Sequence, residues 1–163
     1  MTESISNWLT GLLPDEWFEG APEVTVDRDE IVVVIPIAAP DGESGADAVA
    51  GRIARFREET RERRIRIARE AEQRFDRKVA WGASCGDTTE LFTTLSVPVM
   101  TRLRQPERLV LDTLVDAGVA RSRSHALAWC VKLVGQHSDE WLASLRTAME
   151  EVRRVRQQGP DAA

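Results

Sequence analysis

The spacing of apolar residues changes several times in the first forty positions. Apolar residues recur every three to four positions from Ile5 to Leu13, which predicts a short amphipathic helix, and Pro14 suits the start of a further helical turn. Residues 24–26 and the run at 31–35 are β-branched and flank the polar stretch DRDE. This pattern predicts a strand, a turn and a second strand, and therefore a hairpin.

Helical spacing then returns over a much longer segment. Residues 46–78 contain no proline and only Gly51 as a helix breaker, so we expect one long helix. Between Arg52 and Lys78, eleven basic and six acidic residues are interleaved on it, and opposite charges stand four apart in three pairs: Glu59 with Arg63, Glu62 with Arg66, and Glu70 with Arg74. The spacing favours a solvated, salt-bridged face. Binding of single-stranded RNA is the alternative that we keep open.

A second β-rich stretch follows this helix. Residues 79–85 alternate between larger and smaller side chains, Gly86 and Asp87 supply turn chemistry, and ELFTTLSV at 90–97 continues as another strand. We therefore predict that residues 1–97 form an α+β domain of hairpin, long helix and hairpin, whose role the sequence does not reveal. The polar loop PDGESGAD at 40–47 interrupts it as a surface loop.

Residues 99–104 alternate again and predict a short strand. Val99, Thr101 and Leu103 would share one face, and the other face would carry three long side chains, namely Met100, Arg102 and Arg104. Pro106 ends the strand because it has no N–H to donate to a ladder and fits the first turn of a helix. One face of this segment can pack, and the other points away from the core.

Two short helices follow, separated by GVARSRS. Gly118 suits the left-handed residue that closes the first helix, and Ser122 or Ser124 suits the N-cap of the second. A strand and two helices of this size leave an apolar side uncovered, which a second copy of the chain would cover. The side chains that we expect in such a dimer core are Val99, Leu103, Leu111, Leu114, Leu127 and Val131.

The stretch VMTRLRQPERLVLDTLVDAGVARSRSHALAWCVKL resembles the ribbon-helix-helix superfamily of MetJ-like, Arc-like and CopG-like DNA-binding proteins. The resemblance implies that two chains pair their strands as an antiparallel ribbon in the major groove of duplex DNA. It implies base reading by Met100, Arg102 and Arg104, since arginine donates two hydrogen bonds to guanine. It also implies a phosphate site at the start of the second helix, formed by Arg121, Ser122, Arg123 and Ser124.

Other interpretations of the same stretch remain. A shift of the strand by one residue would turn Thr101 and Leu103 outward instead of the arginines. The fold could serve only for dimerisation, in an interaction or scaffolding protein. The strand and helices could also simply complete the preceding α+β domain, with surface arginines.

A last amphipathic helix is predicted at 138–158, after the ribbon-helix-helix-like module at 98–137. Its apolar residues recur at three- and four-residue steps from Trp141 to Val155, and packing on the core is favoured over a free coiled coil. Residues 159–163 should form a frayed tail.

Charge and composition narrow the class of function. The net charge of -5 opposes non-specific coating of nucleic acid, but residues 99–163 carry ten basic against eight acidic residues. No signal peptide or membrane span is apparent, so we expect a cytoplasmic protein. Cys85 and Cys130 should be reduced, and no catalytic, metal or cofactor motif is present. We expect a homodimeric transcriptional regulator, not an enzyme, whose first domain binds an effector or a protein partner or extends the dimer.

Overall fold

The computed structural model describes residues 2–40 and 45–158, and the chain divides into two compact units, Met1–Val99 and Met100–Ala163. The first unit contains α1 (Thr2–Leu12), a single 3-10 turn (Asp15–Trp17), β1 (Glu23–Val26), β2 (Glu30–Pro36), α2 (Ala46–Glu59), α3 (Arg61–Phe75), β3 (Lys78–Cys85) and β4 (Thr88–Leu91). The second contains α4 (Gln105–Asp116), α5 (Arg123–His137) and α6 (Asp139–Gln158). The predicted α+β class is confirmed. Part of the predicted loop at 40–47 and the predicted tail at 159–163 lie outside the described residues.

The four strands form one sheet in the order β1-β2-β3-β4. The outer pairs are antiparallel, so both predicted hairpins are present, but β2 and β3 pair in parallel. A parallel pair needs a long crossover connection, which α2 and α3 supply. The two hairpins are therefore the two halves of a single sheet.

The core of the first unit lies on one face of this sheet. Alternate residues of β2 point into it, and Ile31, Val33 and Ile35 are fully buried. Helices α1, α2 and α3 contribute further buried side chains to the same cluster, among them Leu9 and Ile53. Alternate side chains of the strand and the apolar side chains on one face of each neighbouring helix thus form one apolar layer.

The predicted long helix is wrong as a single element, because it is divided at Thr60. The Thr60 hydroxyl donates a 2.6 Å hydrogen bond to the carbonyl of Phe56, and it accepts one of 2.9 Å from Nε of Arg64. A threonine that bonds back to the carbonyl four residues earlier bends a helix. Backbone hydrogen bonds continue across the junction, from Thr60 N–H to Phe56 and from Arg64 N–H to Thr60.

The ion pairs on these helices also differ from the predicted ones. Glu59 pairs with Arg55 at 3.7 Å, and Arg63 reaches Glu16 of the 3-10 turn at 3.6 Å. Arg74 lies over the ring of Trp8 on α1, 5.4 Å from its centre. Glu59 thus takes another local partner, whereas Arg63 and Arg74 interact with residues that are distant in the sequence.

The last predicted strand of the first unit ends early. β4 stops at Leu91, and Phe92 makes one more bond from its N–H to the Trp81 carbonyl, at 2.7 Å. At Thr93 the side chain takes the place of the backbone, since its hydroxyl accepts the N–H of Trp81 at 3.2 Å. The prediction of a strand through residue 97 is wrong because the ladder is closed by this hydroxyl.

Helices are the only regular secondary structure in the described residues of the second unit. The predicted strand at 99–104 has no strand partner in the single chain, and α4 begins directly after it. Helix α6 begins at Asp139, one residue later than predicted, and ends at Gln158 as predicted. It has no buried residue, so the expected packing of its apolar seam on a core does not occur in the single chain.

Candidate nucleic-acid interface

The turn between α4 and α5 is held by a local network. Gly118 has a positive φ of 74°, as predicted for the residue that closes α4, and the N–H groups of Val119 and Ala120 both donate to the Leu114 carbonyl at 3.0 Å. Ser122 is the N-cap of α5, and its hydroxyl accepts the N–H of His125 at 3.2 Å. The start of α5 is thus fixed relative to the end of α4.

His125 has a second structural role in this turn. Its Nδ1 accepts the backbone N–H of Arg121 at 3.2 Å, so the ring folds back over the N-terminus of α5. The following N–H groups, at Arg123 and Ser124, belong to the first helical turn, where donors have no acceptor within the helix. This end of α5 has the general character of an anion site.

The Arg123 side chain is bound to an aspartate of α4. Its guanidinium donates two hydrogen bonds to Asp112 of α4, at 2.6 and 2.7 Å. This pairing lowers the pKa of Asp112 and raises that of Arg123. Both side chains are substantially exposed, so the pair contributes little to stability. Of the predicted phosphate ligands, Arg121 is exposed and Arg123 would have to leave Asp112.

The predicted base readers are all exposed. Met100 is 95% exposed, and the side chains of Arg102 and Arg104 make no hydrogen bond or ion pair with any described residue. The segment is joined to α4 by Arg108, whose guanidinium donates to the Leu103 carbonyl at 2.8 Å. Sequence reasoning missed this role of Arg108. It also missed Asp112, because a partner eleven residues away from Arg123 leaves no local spacing to detect.

The predicted dimer-core residues divide into two groups. Leu111 is buried, and Leu103, Leu114 and Leu127 pack around it together with the fully enclosed Ala126. The other two residues of the predicted set, Val99 and Val131, are 87% and 67% exposed. The structure therefore brings one part of the set together within the chain and leaves the other part facing outward.

No metal-ligand cluster and no membrane-crossing helix occurs among residues 2–40 and 45–158. Both cysteines are free; Cys85 is buried, and Cys130 is partly exposed.

A four-stranded α+β unit followed by a helical unit with an incomplete core defines the architectural class of this chain. A family described as "Rv1265-like protein, N-terminal domain" matches residues 3–91, and one described as "Mb1296 C-terminal domain" matches residues 104–156. The chain belongs to the Rv1265-like family.

Relatives of this family occur in mycobacteria. The chain is 60% identical to uncharacterized protein Mb1296 of Mycobacterium bovis and to uncharacterized protein Rv1265 of Mycobacterium tuberculosis. In both cases the similarity covers 96% of this chain and 70% of the relative. No solved structure matches the chain.

Proposed function

We propose that this chain is a homodimeric DNA-binding protein that regulates transcription in the cytoplasm. The observation that carries the proposal is the free arginine-bearing segment 99–104 in front of two helices with a very small core. In a ribbon-helix-helix dimer the same segment pairs with its twin, and the helices of both chains complete one core.

The side chains on the segment are suited to reading bases. Arg102 and Arg104 are exposed and have no carboxylate partner among the described residues, so neither must break an ion pair before it reaches DNA. A planar guanidinium that donates to O6 and N7 of guanine discriminates against another base by about 1 to 3 kcal/mol. The N-terminus of α5 would add a phosphate contact through backbone N–H groups.

The competing function is dimerisation without DNA, in an interaction or scaffolding protein. The engagement of Arg123 by Asp112 favours it, because a phosphate ligand would have to displace a bidentate carboxylate. Met100 also favours it, since a thioether carries no base-specific donor. Affinity for DNA separates the two functions.

The test is binding of the full chain to duplex DNA selected from a random pool, measured by fluorescence anisotropy at several salt concentrations. We expect an affinity that falls steeply with salt, since bound phosphates release counterions. The Arg102→Ala, Arg104→Ala variant should lose preference for the selected site over random duplex while remaining a dimer.

The matched control is Arg146→Ala, Arg153→Ala, which removes the same charge from two exposed positions of α6. It should retain the sequence preference. Preference that survives loss of Arg102 and Arg104 would contradict the ribbon, and a dimer without salt-dependent DNA affinity would favour scaffolding.

A further inference from the structure

A half-enclosed cleft of about 360 Å³ lies in the first unit, between the α2–α3 junction and the end of the sheet at β3 and β4. Its volume is at the lower end of the range for small-molecule sites, roughly 300 to 1,000 Å³. Its walls combine apolar side chains with arginines, and the side chains used below are Arg57, Arg61, Arg64, Ile65, Trp81 and Phe92. Neither the family description nor the proposed DNA contacts account for this cleft.

Arg64 is the first unusual feature of the cleft, because it is only 6% exposed and has no carboxylate ion-paired to it within the described residues. Its Nε donates to the Thr60 hydroxyl and one Nη to the Arg57 carbonyl, at 2.9 and 2.6 Å. Its guanidinium stacks over Phe92, 4.8 Å from the ring centre. Buried charges are normally paired, so this one is incompletely compensated.

The surrounding charged groups do not compensate the buried charge of Arg64. Burial, and then the nearby Arg57 guanidinium, lowers the pKa of Arg64, and the Glu58 carboxylate opposes this only in part. Arg57 is itself held weakly by Glu90, at 3.9 Å, and Arg61 has no ion pair with a described residue. The cleft therefore carries three arginines against one lining carboxylate, that of Glu58.

Trp81 is the second, independent feature. The residue is 3% exposed, it lines the cleft, and its indole N–H has no hydrogen-bond acceptor among the described residues. Indole N–H is a donor only, and a buried donor without an acceptor is uncommon in folded proteins. An anionic oxygen placed in the cleft would satisfy the unused N–H groups of Arg64, beside the Trp81 ring that lines the same cleft.

We propose that this cleft binds a small organic molecule that carries one carboxylate on an apolar, preferably aromatic, body. The carboxylate matches the planar fork of Arg64, which offers parallel N–H groups. The apolar body would pack on Ile65 and on the rings of Trp81 and Phe92. A single negative charge suits a site whose one deeply buried cation is Arg64. The inference does not rest on DNA binding.

The test follows the indole N–H signal of Trp81 in nitrogen-15 NMR spectra of the full chain, assigned with Trp81→Phe. Benzoate, phenylacetate and indole-3-carboxylate are the probes; benzyl alcohol is the neutral control, and inorganic phosphate is the control for charge alone. We expect at least one carboxylate to shift this signal saturably at millimolar concentration. Neither benzyl alcohol nor phosphate should do so.

Arg64→Met keeps the unbranched apolar stem of the side chain and removes its charged guanidinium, and it should weaken binding roughly tenfold or more. Arg74→Met is the matched control, because Arg74 stacks on Trp8 and does not line the cleft. It should bind as the unaltered chain does. Arg61→Met, at an exposed position, should weaken binding a few-fold and guards against a folding defect in the Arg64 variant.

The proposal is overturned if none of the three carboxylates saturates the Trp81 signal. It is also overturned if phosphate alone produces the same shift, or if the folded Arg64 and Arg61 variants both bind as tightly as the unaltered chain. DNA affinity is measured separately, so loss of either property leaves the other to be judged by itself.

Discussion

The two units of this chain bury their apolar residues to very different extents. Of the buried apolar side chains in the described residues, seventeen lie in residues 2–40 and 45–99 and three lie in residues 100–158. The large apolar side chains that remain exposed show the opposite division, six against twelve. The first unit closes a core with its own sheet and helices, whereas the second presents apolar surface that a folded chain normally covers.

The comparison teaches that one sequence can contain two kinds of folding unit. Apolar burial contributes roughly 25 cal/mol per Å², and a unit that buries three side chains, two of them alanines, gains little from it. We therefore expect the first unit to fold by itself and the second to depend on association. Four substitutions test this difference, in order of decreasing effect.

Val131→Asp should have the largest effect. Val131 is 67% exposed in the single chain, where an aspartate would change stability by no more than about 0.5 kcal/mol. In a dimer core the charge would be buried without a partner, which should weaken association at least about a hundredfold. Sedimentation equilibrium measures the association constant, and Ala54→Asp, at an exposed position of α2, is the control. Unchanged association of Val131→Asp would remove this residue from the interface.

Ile35→Ala should destabilise the first unit by about 2 to 5 kcal/mol, because it opens a cavity at a fully buried position of β2. Urea unfolding followed by fluorescence and by sedimentation checks the result. Association through the second unit should persist under conditions where the first has begun to unfold. A simultaneous loss of both would show that the two units are one cooperative system.

Gly82→Ala should destabilise the β3–β4 hairpin by about 1 to 3 kcal/mol. A Cβ at this position would lie 2.7 Å from the Glu90 carbonyl oxygen and 2.8 Å from a methyl group of Leu91, and the first of these is backbone that cannot move aside easily. Gly51→Ala is the control, since an added Cβ there meets nothing within 4 Å and alanine favours a helix. Equal midpoints of urea unfolding for the two variants would contradict this reading of the hairpin.

Arg123→Ala should have the smallest effect, and it is seen best in a titration. The hydrogen bond from Arg123 lowers the pKa of Asp112 below its usual 3.8, so the pair favours folding above that value and its contribution is lost as pH falls through the lowered pKa. Carbon-13 NMR of the Asp112 carboxyl should show its midpoint rising in the variant. An unchanged midpoint would mean that the two side chains do not pair in solution.

The sequence predicts the elements of the first unit better than their arrangement. Both hairpins follow from β-branched runs and turn residues, which are local signals. The parallel pairing of β2 with β3 depends on contacts between residues almost fifty positions apart, such as Ile31 with Val79, and no local pattern records it. The division of the long helix at Thr60 could not be predicted for a different reason. It involves a local side-chain hydrogen bond to the Phe56 carbonyl, and threonines make such bonds in uninterrupted helices as well.

The candidate site was predictable to a comparable degree. Gly118 and Ser122 carry local chemistry, and the structure places them at the turn as expected. The pairing of Arg123 with Asp112 joins two helices and required the fold to be seen. The cleft beside Arg64 could not be predicted either. Arg64 is one of eleven basic residues in this segment, and no local pattern distinguishes the buried one from the exposed ones.

Disulfide trapping at residues 101–103 tests the central claim most directly. Cysteine is placed singly at Thr101, Arg102 or Leu103 in a Cys130→Ala background, with Asp87→Cys at the β3–β4 turn as control. Directly paired residues of an antiparallel ribbon have Cα atoms about 4.5 to 5.5 Å apart, within the range that a disulfide spans. We predict rapid formation of a covalent dimer from at least one of the three positions and not from position 87. Absence of such a dimer at all three positions, at concentrations where the chain self-associates, would contradict the paired ribbon.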